Sequence, residues 1–447
     1  MNTKENKMGQ MPMLKLIISM SIPSMFSMLI QALYNIVDGI FISHYSLQGL
    51  EAVNLAFPFQ MFLVAVSVGT AIGVNSLVAR RLGAKNYNEA NSAATNGMFL
   101  AVCSWVLFVV LGLIAVKPFV SLMGASGTVA KETETYLTIV MVASLGLFIQ
   151  VCAEKLLQAT GNMIYPMIFQ LIGAVTNIIL DPVFIFNLNM GVAGAAIATV
   201  LGQIVAAIFS LFVIFFKKHE IRVSFKAFKP DLKIIGEIYK VGAPAIVMQS
   251  ISSVLTSALN ALLMALGSGT AVNVFGIYFK LQSFVFMPVF GLNQGVMPVM
   301  GYSYGAKNKK RLMSALKIGV VIAAIIMFLG MVLFMSIPHL LLSVFNADEE
   351  IYNMGIPALR TISLCFLPAA VGIIVSTLFQ AVGNGVYSMV VSIVRQLAFL
   401  LPIAYILSAI IGVNGVWLAF PLSELAGLIT SLVLFKKSYT LSIKTLK

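Results

Sequence analysis

Between residues 16 and 435 the chain consists almost wholly of apolar runs longer than twenty residues, and no soluble core of this size absorbs so many of them. Twelve runs stand out, at about 16–43, 52–79, 92–116, 135–158, 163–186, 191–216, 241–264, 272–300, 314–336, 355–380, 386–410 and 412–435. Sixty per cent of the residues are hydrophobic and only 10% charged, where a soluble protein carries about 25% charged residues. Backbone in lipid must satisfy its own hydrogen bonds, which leaves helices or a closed barrel. The runs are long and do not alternate, so they predict helices. The first is too long for a signal-peptide core and no small-residue cleavage site follows it, so it is expected to be retained.

The basic residues fix an orientation. With the N-terminus in the cytoplasm, Lys4, Lys7, Lys15, Arg80, Arg81, Lys85, Lys155, the stretch Lys217–Lys240, the stretch Lys307–Lys317 and the tail from Lys436 fall on the inner side. Together they hold 23 of the 28 basic residues. Lys117 and Lys131 fall outside, and Lys280, Arg360 and Arg395 fall within spans. This is the positive-inside asymmetry, and it places both termini in the cytoplasm. The net charge of +13 then reflects topology and anionic lipid headgroups, and the basic residues are too scattered for a nucleic-acid partner. Cys103, Cys152 and Cys365 stand singly in helices with no metal or disulfide spacing and read as small apolar fillers.

The chain also repeats itself. "GAKN" at Gly83–Asn86 returns at Gly305–Asn308, and "QATGN" at Gln158–Asn162 returns as "QAVGN" at Gln380–Asn384, both at a shift of 222. "GVAG" at Gly191–Gly194 returns as "GVNG" at Gly412–Gly415, a shift of 221. Six helices return a chain to its starting side, so the halves are parallel repeats, a transporter architecture. The expected fold is all-α: twelve transmembrane helices in two parallel-repeat six-helix bundles. Residues 1–216 form the first bundle, 217–240 a basic cytoplasmic linker, and 241–447 the second bundle with a short cytoplasmic tail.

The repeat serves as an internal control on the polar residues. Asp38 aligns with Asn260, Thr199 with Phe420, and Asn177 near Phe399, while Asp181 falls beside Pro402 and Ile403. Residues shared by the halves serve the shared fold; polar residues present in one half alone point to function. Asp38 lies about two turns from the outer end of the first helix, Asp181 at the same level in the fifth, and Thr199 about two turns into the sixth. Asn177 is one turn from Asp181 on the same face, and Tyr34 and Asn35 share the face of Asp38. An ionised Asp at the centre of a hydrocarbon span costs about 3 kcal/mol on insertion scales. Two such carboxylates repel each other until one takes up a proton or a metal cation. Pro182 removes a backbone donor just after Asp181, and Pro23 does so in the first helix.

These residues resemble those of the multidrug and toxic compound extrusion (MATE) transporters over essentially the whole chain. The resemblance rests on "LVARRLGAKN" after the second helix, "LQATGN" after the fourth, "DPVFIF" in the fifth and the basic linker. Within the family the chain is most similar to the DinF-type branch. That branch builds its cation-coupling site from an Asp on helix one, an Asn and Asp on helix five and a Thr on helix six. Asp38, Asn177, Asp181 and Thr199 occupy those positions; Pro23 matches the bending proline of helix one, and Tyr34 a neighbouring tyrosine. The coupling acids of the NorM-type branch, on helices seven and ten, have no match in Val241–Met264 or Gly355–Gln380.

The resemblance implies an antiporter that exports organic, mainly cationic, drugs in exchange for H⁺ or for Na⁺ held at Asp38, Asn177, Asp181 and Thr199. It implies a monomer in the inner membrane of a bacterium, without cofactor or enzymatic activity. Arg395 and Glu424 lie at similar depth and suit a structural ion pair, with a second coupling site as the other reading. Lys280 either snorkels or faces a cavity. A lipid-linked glycan flippase shares the architecture but needs cationic groups for pyrophosphate, and the first half is acidic. An intramembrane enzyme finds no support, because His44, His219 and His339 fall at helix ends or loops.

Asymmetry between the halves predicts unequal mutations. Asp181→Asn should remove gradient-driven export, whereas Asn260→Asp, which adds an acid opposite Asp38 in the repeat, should change it little. Drug accumulation in inverted vesicles measures both, and equal effects would refute a first-half site.

Overall fold

A computed structural model describes residues 6–446 apart from 227, 268 and 346, and every side chain among them except those of Asn35 and Ile36. The described residues form α-helices with three short π-helical stretches. In order these are α1 (Lys7–Gln10), α2 (Met13–Tyr45), α3 (Leu47–Gly83), α4 (Tyr87–Ile114), α5 (Val116–Leu122), α6 (Gly127–Val142), α7 (Leu145–Ala159), α8 (Ile164–Pro182), α9 (Gly191–Phe216), α10 (Leu232–Ala265), α11 (Gly269–Gly305), α12 (Lys309–Ser336), α13 (Pro338–Ser343), α14 (Glu349–Ser363), α15 (Phe366–Ala381), α16 (Gly385–Ile393), α17 (Leu401–Ile411) and α18 (Val413–Ser438).

Among the described residues, ten helical stretches are long and apolar enough to cross a membrane. Two further spans are broken. The fourth expected run is α6 and α7, bent by 48°, and the tenth is α14 and α15, bent by 46°, which brings the total to twelve. Beside each break a serine hydroxyl bonds back to a carbonyl of the preceding turn: Ser144 Oγ donates to Met141 O at 2.7 Å, and Ser363 Oγ to Arg360 O at 2.9 Å. Large apolar side chains such as Leu113, Ile208, Phe216 and Ile410 are left exposed on the helices, as lipid-facing surface must be.

The repeated motifs turn out to be helix punctuation. Lys85 and Lys307 both take φ 57°, the left-handed turn that ends α3 and α11. Asn86 and Asn308 then cap the next helices, their side chains accepting from Glu89 N and Arg311 N. Gly161 and Gly383, in the QATGN and QAVGN motifs, take φ 87° and 88°, a conformation that favours glycine. The repeat is therefore one of backbone geometry as well as letters.

Packing separates two units. One comprises Asn6 and Phe26–Ile246; the other comprises Lys7–Met25 and the chain from Val247 onward. Their boundaries fall inside helices, after Met25 in α2 and after Ile246 in α10, and not in the linker. The described part of the basic stretch 217–231 is non-helical, and α10 begins at Leu232. Asp231 caps that helix, accepting from Lys233 N and Ile234 N. Polar residues of α4 hold the linker: Asn91 Oδ1, Thr95 Oγ1 and Asn96 Oδ1 accept from the backbone N–H groups of Arg222, Ser224 and Asp231. Arg81, from the LVARRLGAKN motif, pairs with Glu89 of α4 and Glu237 of α10, both at 2.8 Å.

Within the first unit, α8 and α9 approach unusually closely. A Cβ on Gly202 would lie 2.7 Å from Gly173 O and 3.3 Å from Asn177 Cβ. Gly202→Val should therefore force these helices apart and destabilise the unit by about 1–3 kcal/mol. Gly236→Ala on α10, where a Cβ meets nothing within 4 Å, should be neutral or slightly stabilising. Thermal unfolding in detergent tests the contrast, and equal midpoints for the two variants would show that the close approach is not needed.

Candidate functional site

Pro182 lacks an N–H, so the carbonyl of Ile178 loses its helical partner. The chain responds with a π-helical turn, Val183–Asn187, directly after α8. This wider turn is packed from two sides. Ile185 sits in a buried cluster with Ile42 of α2 and Ala195 of α9. Phe186 meets Phe41 edge-on with ring centroids 6.4 Å apart. The end of α2 is thereby fixed against α8 and α9, and the polar residues one or two turns away are brought together.

Asn177, Asp181 and Thr199 are buried, at 2%, 0% and 4% exposure. Asn177 Nδ2 lies 3.3 Å from both Asp181 Oδ1 and Thr199 Oγ1 and donates to each. Asp38 and Asp181 lie within hydrogen-bonding reach of each other, a contact that two ionised carboxylates cannot make without a shared proton. Tyr34 shares a hydrogen bond with Thr199. Three oxygens of this cluster are buried without a hydrogen-bond partner: Asp38 Oδ1, Asn177 Oδ1 and Asp181 Oδ2. Buried acceptors left in this state cost about 1–3 kcal/mol each. Such a donor set fits a proton or a hard cation such as Na⁺, which favours oxygen ligands.

The four residues singled out for coupling are thus neighbours, and Tyr34 joins them. Asn35 lies outside the residues whose side chains are described. Pro23 is in α2 but falls in the second packing unit. Tyr136 of α6 was not anticipated. It is 2% exposed, lies beside Tyr34, Asp38 and Asp181, and shares a hydrogen bond with Gln60 of α3.

A cavity of about 130 Å³ opens next to the cluster, lined among others by Gln31, Tyr34, Glu154, Gln170, Asn177 and Thr199. Glu154 was also missed, although its signal was present: at the repeat shift of 222 it stands opposite Ser376. Lys155, expected with the cytoplasmic loop charges, is instead buried in α7, its Nζ 2.9 Å from Gln158 Oε1. Its carbonyl accepts from Asn75 Nδ2 at 2.8 Å.

In the second unit Arg395 Nη1 and Glu424 Oε1 are 3.0 Å apart, and both line a cavity of about 120 Å³. Lys280 is exposed, its Nζ 5.9 Å over the ring of Phe345. Cys152 and Cys365 are buried free thiols, and Cys103 is exposed.

Comparison with known proteins agrees with the resemblance read from the motifs. The multidrug export protein MepA of Staphylococcus aureus is 26% identical over 442 residues, 97% of this chain and 96% of the relative. MepA of Staphylococcus saprophyticus is 27% identical over 425 residues, 93% of this chain and 92% of the relative. An outward-facing multidrug resistance MATE family transporter of the MOP superfamily superposes with a TM-score of 0.94 at 27% identity, over 100% of both chains. A MOP superfamily transporter from Pyrococcus furiosus, described by the reverse polarity of its binding pocket, gives the same score, identity and coverage. The family model MatE matches twice, at residues 23–183 and 244–406, once in each half of the repeat. The chain belongs to the MatE family, a family of membrane transporters and not of enzymes.

Proposed function

We propose that the chain is a secondary active multidrug exporter of the DinF-type branch, exchanging organic, mainly cationic, compounds for H⁺ or Na⁺. The observation that carries this reading is the buried cluster Asp38–Asn177–Asp181–Thr199, with its three oxygens lacking partners. The names of the MepA relatives support multidrug export as the activity. The positive-inside pattern supports both termini in the cytoplasm of a bacterial inner membrane. Nothing in the site requires a second subunit, so the monomer is the working unit.

The chemistry follows from crowding. Two carboxyls at hydrogen-bonding distance repel when both are ionised, and a proton between them, or Na⁺ against their oxygens, removes the repulsion. A cationic substrate close to the same carboxyls achieves the same neutralisation. One site cannot hold both cations at once, and this mutual exclusion couples the two fluxes through reciprocal linkage. Asn177 senses which is present, because its single NH₂ group is divided between Asp181 and Thr199. Changing the charge on Asp181 changes that division. The π-helical turn after Pro182 gives α8 the freedom to follow.

A flippase for pyrophosphate-linked lipids is the weaker reading. No basic residue lines the cavity of the first unit, and Arg395 in the second unit's cavity already faces Glu424.

Asp38→Asn should express normally and abolish export of ethidium against its gradient in everted vesicles. Retained export would overturn the assignment. Infrared difference spectra should show a protonated carboxyl band that Asp181→Asn removes and a cationic substrate shifts. Transport that follows a Na⁺ gradient at constant pH, with no such band, would identify sodium as the driving ion.

A further inference from the structure

The cavity that reaches Asn177 and Thr199 extends to another carboxylate, Glu154 of α7, which is 4% exposed. Two amides hold it: Gln150 Nε2 donates to Oε1 at 3.0 Å and Gln170 Nε2 donates to Oε2 at 3.1 Å. Both carboxyl oxygens therefore act as acceptors, the bonding pattern of an ionised group, and each has a further lone pair to offer. Lys155, next in sequence, turns its ammonium to Gln158 and does not line the cavity.

Orienting the amides this way leaves acceptors over. With its NH₂ on Glu154, Gln170 keeps Oε1 buried without a partner. Turning the amide over would set that oxygen against the carboxylate instead. Asn177, 2% exposed and with its NH₂ already shared, leaves Oδ1 in the same condition. Glu154, Gln170 and Asn177 line one cavity, and each carboxylate oxygen of Glu154 keeps a lone pair beyond its amide partner. An occupant beside Glu154 gains from a positive charge that carries N–H donors.

We propose that Glu154 anchors the cationic nitrogen of the substrate, at a position separate from the Asp38–Asp181 pair. The site then selects protonated amines and amidines, which carry N–H donors, over quaternary cations, which carry none. This assignment rests on the export reading above and names the substrate class for it.

The second unit supplies a comparison. At the shift of 222, Ser376 and Ser392 stand where Glu154 and Gln170 stand, and both line the cavity of about 120 Å³ there. The carboxylate in that cavity, Glu424, is already met by Arg395 at 3.0 Å. A cavity neutralised in this way offers a cation no anchor. Preference for amines is therefore assigned to the first unit alone.

Binding to the full-length protein in detergent tests the assignment. Anisotropy of the fluorescent diamidine 4′,6-diamidino-2-phenylindole reports one class, and its displacement by tetraphenylphosphonium reports the donorless class. Wild type should prefer the diamidine. Glu154→Gln should weaken diamidine binding about tenfold to a hundredfold, the loss of one charge-assisted contact, and should weaken phosphonium binding less. Glu154→Asp keeps the charge and should retain more diamidine binding than Glu154→Gln. It also preserves the test if the Gln variant does not fold. Wild-type affinity for the diamidine in Glu154→Gln, or in Glu154→Asp an unchanged preference alongside a folded Gln variant that binds normally, overturns the anchor and leaves export intact. Failure of the wild type to bind either cation overturns the cationic-substrate reading together with the anchor.

Discussion

A polar group carried into hydrocarbon must find its partner inside the protein, because no water is there to supply one. Nearly every feature of the first unit follows from this constraint. The long helices satisfy their own backbone. Beside the break between α6 and α7, the Ser144 hydroxyl bonds back to the Met141 carbonyl. Against that background, the unpartnered oxygens of Asp38, Asn177, Asp181 and Gln170 mark where something other than protein belongs.

Those oxygens fall into two groups that meet at Asn177. On one side are the two aspartates, suited to a small cation. On the other is the cavity that ends on Glu154, suited to a larger one. Asn177 has only one NH₂ to give and gives it to Asp181 and Thr199, so its oxygen faces the remaining demand. In the proposed reading, neutralising the aspartates and filling the cavity are therefore not independent events. Close approach of α8 and α9 at Gly173 and Gly202 is what makes this sharing geometrically possible.

The second unit repeats the backbone without repeating this chemistry. Lys85 and Lys307, like Gly161 and Gly383, take matching dihedral angles, so the shared letters maintain the shared helix ends. Arg395 and Glu424 neutralise each other where the first unit has Gly173 and Gln203 at the repeat shifts of 222 and 221. Replacing such a pair by apolar residues often costs little stability, so its retention in a cavity speaks for a specific arrangement of the surrounding polar groups.

The sequence by itself determined the helical class, the span count, the internal repeat and the membership of Asp38, Asn177, Asp181 and Thr199 in one half. Hydrophobic length and internal repetition are local properties of the chain, and both are legible without coordinates. Even Asn177 beside Asp181 follows from helical spacing. Tertiary structure alone decided which residues from separate helices join them. Tyr136 of α6 lies beside the cluster and Gln60 of α3 shares a hydrogen bond with Tyr136, and no spacing within either helix announces that pairing. Glu154 reads as an ordinary charge beside a motif until packing buries it and sets Gln150 and Gln170 against it. Lys155 likewise changes from a loop charge to a buried one. The unit boundaries inside α2 and α10 were hidden for a related reason: a continuous helix looks the same in sequence whichever neighbours its two ends pack against.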